Sequence, residues 1–389
     1  MEPKIRFKGF EGGWKAPLFS EMVERISASG QAGMLPGVEF EDIASGEGCF
    51  NKNIYQKECH KYGKLFYEGD ILFGKLRPYL KNIILADFNG VAIGDFWVLR
   101  SKGLDEKYLY TLVNSESFLK VANISSGSKM PRADWNLVST TKFFVPSAKD
   151  EQKAIGKYFT SLDSQISAAT SRLASLKQMK AASLQAMFPQ EGETVPKIRF
   201  KGFEGEWKKV KFSELYERSS IKNDLSFGTD KIISVANMYF IKNSRQVDDD
   251  YLRSYNIMRL GDIAFEGNKS KNFAHGRLVE NTIGDGIVSH VFIVMKPISK
   301  NYDLNFWKYY INNENIMGNI LVRSTKSSTM MTDLVVDDFL KESILVPSYE
   351  EQIEIGKILT SLDRQISLQS QRLEKLKQIK SACLDKMFV

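Results

Sequence analysis

The side chains able to do chemistry alone are few, and their spacing is poor for it. Cys49, Cys59 and His60 could begin a zinc site, but no Cys-x-x-Cys pair accompanies them and a fourth ligand at ordinary spacing is missing. His275 and His290 have no cysteine or serine partner set and read as ordinary polar residues. No Gly-x-x-x-x-Gly-Lys-Ser/Thr phosphate loop occurs, so ATP hydrolysis by this chain is not expected. No glycine fingerprint opens a helix after a strand, and the Asn/Asp-Pro-Pro-aromatic motif of amino-methyltransferases is absent. Acid-x-Lys triplets such as Asp105-Glu106-Lys107 arise often by chance, and no upstream catalytic acid accompanies this one. The residues therefore point to a chain without an active site.

Binding chemistry is better represented. Between Lys52 and Lys81 there are seven Lys or Arg and three Asp or Glu, and the stretch ends in Lys75, Arg77, Tyr79 and Lys81, cations interleaved with an aromatic. A second basic stretch carries Ser128, Lys129 and Arg132. The other half of the chain has Lys269, Lys271 and Arg277, then Arg323 and Lys326. Lys and Arg on loops suit phosphate contacts, while Arg, Asn, Ser and Thr also suit base edges. Any one such loop is also an ordinary solvated turn; the reading rests on matching loops in both halves. These residues are the expected DNA-facing set.

The elements that must position them follow from the pattern. The chain has 389 residues, 43% apolar and 26% charged, with net charge +7. That is a globular balance with room for two or three domains. No apolar run approaches about 18 residues, so no membrane span is expected. The opening Met1-Glu2-Pro3-Lys4 lacks an apolar signal region, and three cysteines cannot build a disulfide framework, so a cytoplasmic setting is expected.

An internal duplication dominates. Residues 3–14 (Pro-Lys-Ile-Arg-Phe-Lys-Gly-Phe-Glu-Gly-Gly-Trp) recur at 196–207 with 11 of 12 positions identical, and residues 151–188 recur at 351–388 with 22 of 38. Residues 15–144 and 208–345 show little mutual similarity beyond pieces such as Gly69-Asp70-Ile71 and Gly261-Asp262-Ile263. Both copies of the second block, at 151–188 and 351–388, follow Val-Pro-Ser and lack an internal proline, which predicts two long helices, the first over about 150–187. Apolar residues recur at 4-3 spacing: Ile155, Phe159, Leu162, Ile166, Leu173 and Leu176, matched by Ile355, Leu359, Leu362, Ile366, Leu373 and Leu376. This is a coiled-coil pattern, fraying at Lys180 and Lys380. If the halves are related by a twofold axis, the helices run antiparallel as a rod of roughly 50 Å, and residues 3–14 lie near Phe388. Such helices could instead be buried against their own domains.

Segments 81–86, 96–99, 232–235 and 290–295 read as strands, and 106–120 and 305–319 as helices. The expected fold is α+β: residues 1–147 and 190–348 as variable domains with their leader peptides, and 148–189 and 349–389 as two spacer helices packed as an antiparallel coiled coil.

Two variable domains, the Pro-Lys-Ile-Arg-Phe-Lys-Gly-Phe leader, the Glu-Gln-x-x-Ile-Gly-Lys…Leu-Asp-x-Gln-Ile helix starts at Glu151 and Glu351, and the Gly-Asp-Ile pieces together resemble the specificity subunit of Type I restriction–modification enzymes. The resemblance covers essentially the whole chain. It implies two target-recognition domains, each reading half of a bipartite double-stranded DNA sequence. It also implies helices that set the spacing and dock two modification (methyltransferase) subunits, with restriction (translocase/endonuclease) subunits joining. S-adenosylmethionine is then expected on the modification subunits, ATP and Mg on the restriction subunits, and no cofactor on this chain. The competing classes are a nuclease or methyltransferase, disfavoured by the missing motifs, and a coiled-coil adaptor whose variable domains bind proteins.

Overall fold

The computed structural model describes residues 2–33, 35–57, 59–124, 130–242, 248–327 and 331–388. Two units emerge, Met1–Leu173 with Gln369–Val389, and Ala174–Leu368. Each holds one variable head, the beginning of one long helix and the end of the other. No helix among the described residues is long and apolar enough to cross a membrane.

In the first unit the head is built on four antiparallel strands, in spatial order Val23–Ile26, Phe96–Ser101, Ile71–Gly74, Ile83–Leu85. The Ile-Leu-Phe and Phe-Trp-Val-Leu runs are apolar throughout because the sheet is covered on both faces. Alternation sends Ile71, Phe73, Trp97 and Leu99 into a core with helices Glu106–Asn114, Glu116–Ala122 and Trp135–Thr140. It sends Leu72, Phe96 and Val98 into a second core with Val38, Ile43, Ile54 and Phe66. A further sheet of Ser29–Gln31, Tyr62–Phe66, Gly90–Ala92 and Gly37–Val38 completes the head.

The second unit repeats the central sheet: Tyr216–Ser219, Ile293–Pro297, Ile263–Glu266, Arg277–Glu280, again antiparallel. Ile263, Phe265, Leu278 and Met295 face the helices Leu304–Tyr310, Glu314–Ser324 and Val336–Lys341; Ala264, Val279 and Val294 face the other side. Beyond this sheet the heads diverge, for here the outer part is the strand pair Asn256–Met258 and Gly286–Val288 with helix Asp249–Ser254.

Three expectations need correction. Segment 106–120 is two helices, because Ser115 is extended (φ −70°, ψ 155°) and its hydroxyl accepts from the Phe118 amide. Segment 305–319 likewise breaks where the Asn313 side chain accepts from the Asn315 amide. The strand expected over 290–295 begins only at Ile293.

The Gly-Asp-Ile pieces are turns that launch the third strand of each central sheet. Gly69 and Gly261 have φ of +87° and +89°, where a side chain is strained. The carboxylates of Asp70 and Asp262 accept from the amides of Tyr67 and Arg259. Asp70 also takes two hydrogen bonds from Arg100, both 2.7 Å. At Asp262 burial pushes the carboxyl up to about 6, opposed by its hydrogen bond from the Arg259 amide. The folded state thus holds this proton more tightly than the unfolded chain, so the contribution of Asp262 to stability is lost as pH rises from about 4 through about 6. The expected result is that the stability gap between the native protein and Asp262→Asn, from urea unfolding, shifts against the native protein by about 1–3 kcal/mol between pH 4.5 and 7.5. A gap independent of pH would sink this account.

The long helices are Lys149–Ala186 and Tyr349–Met387. Their beginnings dock onto the heads: Ile155 and Phe159 lie in the first head's core, Ile355 and Leu359 in the second's. A glycine inside a helix costs about 1 kcal/mol relative to Ala, and close approach explains it here. A Cβ on Gly156 would stand 2.6 Å from the Tyr108 backbone nitrogen, and one on Gly356 2.9 Å from that of Phe306. Further along, Leu162, Leu176 and Leu362 are buried, while Ile166, Leu173, Ile366, Leu373 and Leu376 are half-buried, Leu376 against the first head's core.

Within the first unit Tyr158 lies 3.5 Å from Cys383, Asp163 2.6 Å from Lys380, and Gln369 donates to the Ala169 carbonyl. Numbers rise on one helix as they fall on the other, so the two run antiparallel. The lysines that interrupt the apolar row are thus partners of aspartates on the facing helix; Lys180 pairs with Asp363 in the second unit. The leader peptides seat where pseudo-symmetry expects. The Ile5 amide donates to the Lys386 carbonyl, and the Ile198 amide to that of Ala186.

Candidate nucleic-acid interface

In the first head the basic segment begins where strand Ile71–Gly74 ends. Lys75 donates its amide to the Asp95 carbonyl, and Leu76 bridges to Arg132. Arg77 and Lys81 bracket the short turn Pro78–Leu80 in left-handed conformation (φ 51° and 54°), and the Arg77 amide donates to the Pro131 carbonyl. The chain is thereby bent so that Arg77, Tyr79 and Lys81 stand exposed, Tyr79 to 55%. Two segments 55 residues apart in sequence, at Arg77 and Arg132, therefore form one basic surface. Lys75 lies 3.3 Å and Arg132 3.1 Å from the Asp95 carboxylate. Burial opposes ionisation there, but hydrogen bonds from Lys75 and Arg132 hold Asp95 below the usual carboxylate range. Ser128 and Lys129 lie outside the described residues.

The second head has the same construction. Asn268, just past strand Ile263–Glu266, bridges to Met331, as Leu76 does to Arg132. Lys269 and Lys271 follow it, both exposed, around the Ser270–Phe273 bridge. Lys326 is exposed on the strand Thr325–Ser327. Two other expected contacts are engaged within the protein. Arg277 donates to Glu266 at 2.6 Å and to the Ala236 carbonyl, and stacks on Phe273 at 5.0 Å. Arg323 makes a two-bonded pair with Glu342 at 2.9 and 2.7 Å, which holds Glu342 below its ordinary range.

Cys49 pairs across a strand with Ala44, Cys59 packs beside Gly37, and no metal-capable group of three or more His, Cys, Asp or Glu forms among the described residues. Sequence reading passed over Arg25 and Lys64. Both lie on strands, Val23–Ile26 and Tyr62–Phe66, and the folded chain brings Lys64 within reach of the charges of Lys75, Arg25 and Asp95. The one available signal was a charged residue inside each strand-like run.

Comparison with known proteins gives this surface a setting. Residues 204–378 match the family described as the Type I restriction modification DNA specificity domain. The MjaVIII specificity subunit of Methanocaldococcus jannaschii is 22% identical over 311 residues, 74% of this chain and 70% of that protein. The EcoDI specificity subunit of Escherichia coli is 25% identical over 120 residues, 29% of this chain and 27% of that protein, so that match spans about a quarter of its length. The S subunit of a Type I restriction–modification system from M. genitalium superposes with a TM-score of 0.62 over 100% of this chain and 99% of that one, a likeness of fold at 14% identity. A match to the specificity domain over residues 204–378 and curated relatives named specificity subunits make this chain similar to the specificity subunits of Type I restriction–modification systems.

Proposed function

We propose that this chain is the non-catalytic DNA-recognition subunit of a Type I restriction–modification enzyme, working in the cytoplasm. Each head reads one half of a bipartite double-stranded target. The long helices set the interval between the half-sites and hold two modification subunits, which carry S-adenosylmethionine; restriction subunits with ATP and Mg complete the assembly. The observation that carries this reading is the bridge made at the same place in both heads, Leu76 with Arg132 and Asn268 with Met331. Both bring two basic segments beside the end of the central sheet. Such cations position a head on the phosphates, while the divergent outer parts read different bases. Lys75, Arg77, Tyr79, Lys81, Ser128, Lys129 and Arg132 would serve the first head, and Lys269, Lys271 and Lys326 the second. Arg277 and Arg323 would first have to leave Glu266 and Glu342.

The test is an exchange. Residues 15–144 are replaced by the head of another specificity subunit, and the methylated motif is mapped in cells carrying the modification subunits. One half of the motif should change and the other half stay. A change in both halves contradicts the reading.

A further inference from the structure

We propose that the Asp95 carboxylate occupies, in the free protein, a site built by Lys64, Lys75 and Arg132 that takes a phosphate of the DNA backbone. This rests on the DNA-recognition reading above and goes beyond it, naming an anion site and a resident competitor within it.

The site draws on four separate pieces of chain, and Arg25, on the edge strand opposite Leu99 with its guanidinium 4.8 Å from the Trp135 ring, adds a like charge that acts on Lys64. Lys64 comes from the outer sheet, Lys75 follows the third strand, and Arg132 belongs to the bridging segment. Asp95 sits just before strand Phe96–Ser101.

The Asp95 carboxylate pairs directly with Lys75 and Arg132. Lys64 instead donates to a neutral acceptor, the Phe96 carbonyl, at 2.6 Å. Burial, then the charges of Lys75 and Arg25, lower its pKa against the pull of Asp95. Holding a half-buried ammonium beside like charges is unfavourable in the free protein, and an anion entering the cluster relieves it. A phosphodiester fits because it offers two free oxygens on one negative charge, enough to engage Lys64 and the Arg132 guanidinium together. Arg132 is 53% exposed at its side chain and can turn outward from Asp95. Every phosphate that enters must compete with the resident carboxylate, so Asp95 also restrains binding to DNA of arbitrary sequence.

The experiment uses the full chain and a fluorescein-labelled duplex of random sequence, titrated by anisotropy between about 50 and 200 mM salt. Asp95→Asn should tighten binding about threefold to tenfold at the lowest salt. Lys64→Met, which keeps the aliphatic stem, should weaken it several-fold and make the slope of log K against log salt shallower by about 0.9. If the native chain binds with salt dependence but both variants match it, the assignment is overturned while the DNA reading stands. If the native chain shows no salt-dependent duplex binding, the DNA reading itself fails, and this proposal with it. Circular dichroism checks folding; should Asp95→Asn not fold, Lys64→Met decides alone.

Discussion

Replacing Arg199 by Met is expected to destabilise the second unit by about 3–5 kcal/mol, the cost of leaving a buried carboxylate without its partner. Glu351 is fully buried at the start of the second long helix. Its two oxygens each accept from the Arg199 guanidinium at 2.7 Å, and the same guanidinium reaches the Gly205 carbonyl. The leader peptide is thereby tied to the helix that carries the head. In Arg199→Met the carboxylate keeps its desolvation penalty and loses the charge that offset it. Arg199→Met combined with Glu351→Leu should recover most of the loss, since an apolar pair of similar size removes the buried charge altogether. Urea unfolding followed by circular dichroism measures both. A single variant no less stable than the double would show that water already solvates Glu351. The first unit has the same tie, Arg6 to Glu151 at 2.7 and 2.8 Å, with the Trp14 indole as a third donor at 3.3 Å.

Phe159→Ala should cost about 3–5 kcal/mol, while Leu373→Ala should cost only about 1. The two residues hold the same position in the repeated apolar row but have different surroundings. Phe159 is 1% exposed within the first head's core, its ring 6.2 Å from that of Phe388. Leu373 is half-buried on the closing part of the other helix. The excised Phe159 side chain leaves a cavity that the sheet and helices around it cannot fill, whereas water already reaches Leu373. Equal losses, measured by the same unfolding experiment, would mean that the helices are held chiefly by one another.

The comparison of Phe159 with Leu373 also marks how far the sequence could be read. The repeated row foretold two long helices to within about two residues, because apolar period and missing prolines are local properties of the chain. It left the burying partner of each residue open, since a 4-3 row fits a second helix or the wall of a domain equally well. The lysines at 180 and 380 looked like fraying of that row; the facing aspartates that make them part of it lie about 180 or 220 residues away.

Duplication and the general basicity of the heads were determined by the sequence alone, because identity and composition survive without a fold. The tertiary structure decided which cations share a surface. Residues 75–81 and 132 meet through the Leu76 and Arg132 bridge, and Lys64 reaches the same region through its bond to the Phe96 carbonyl. It also decided which cations are occupied: Arg277 and Arg323 read like free loop cations until Glu266 and Glu342 are found beside them. A cation's availability depends on the nearest opposite charge in space, and chain position says little about that once strands and helices bring distant segments together.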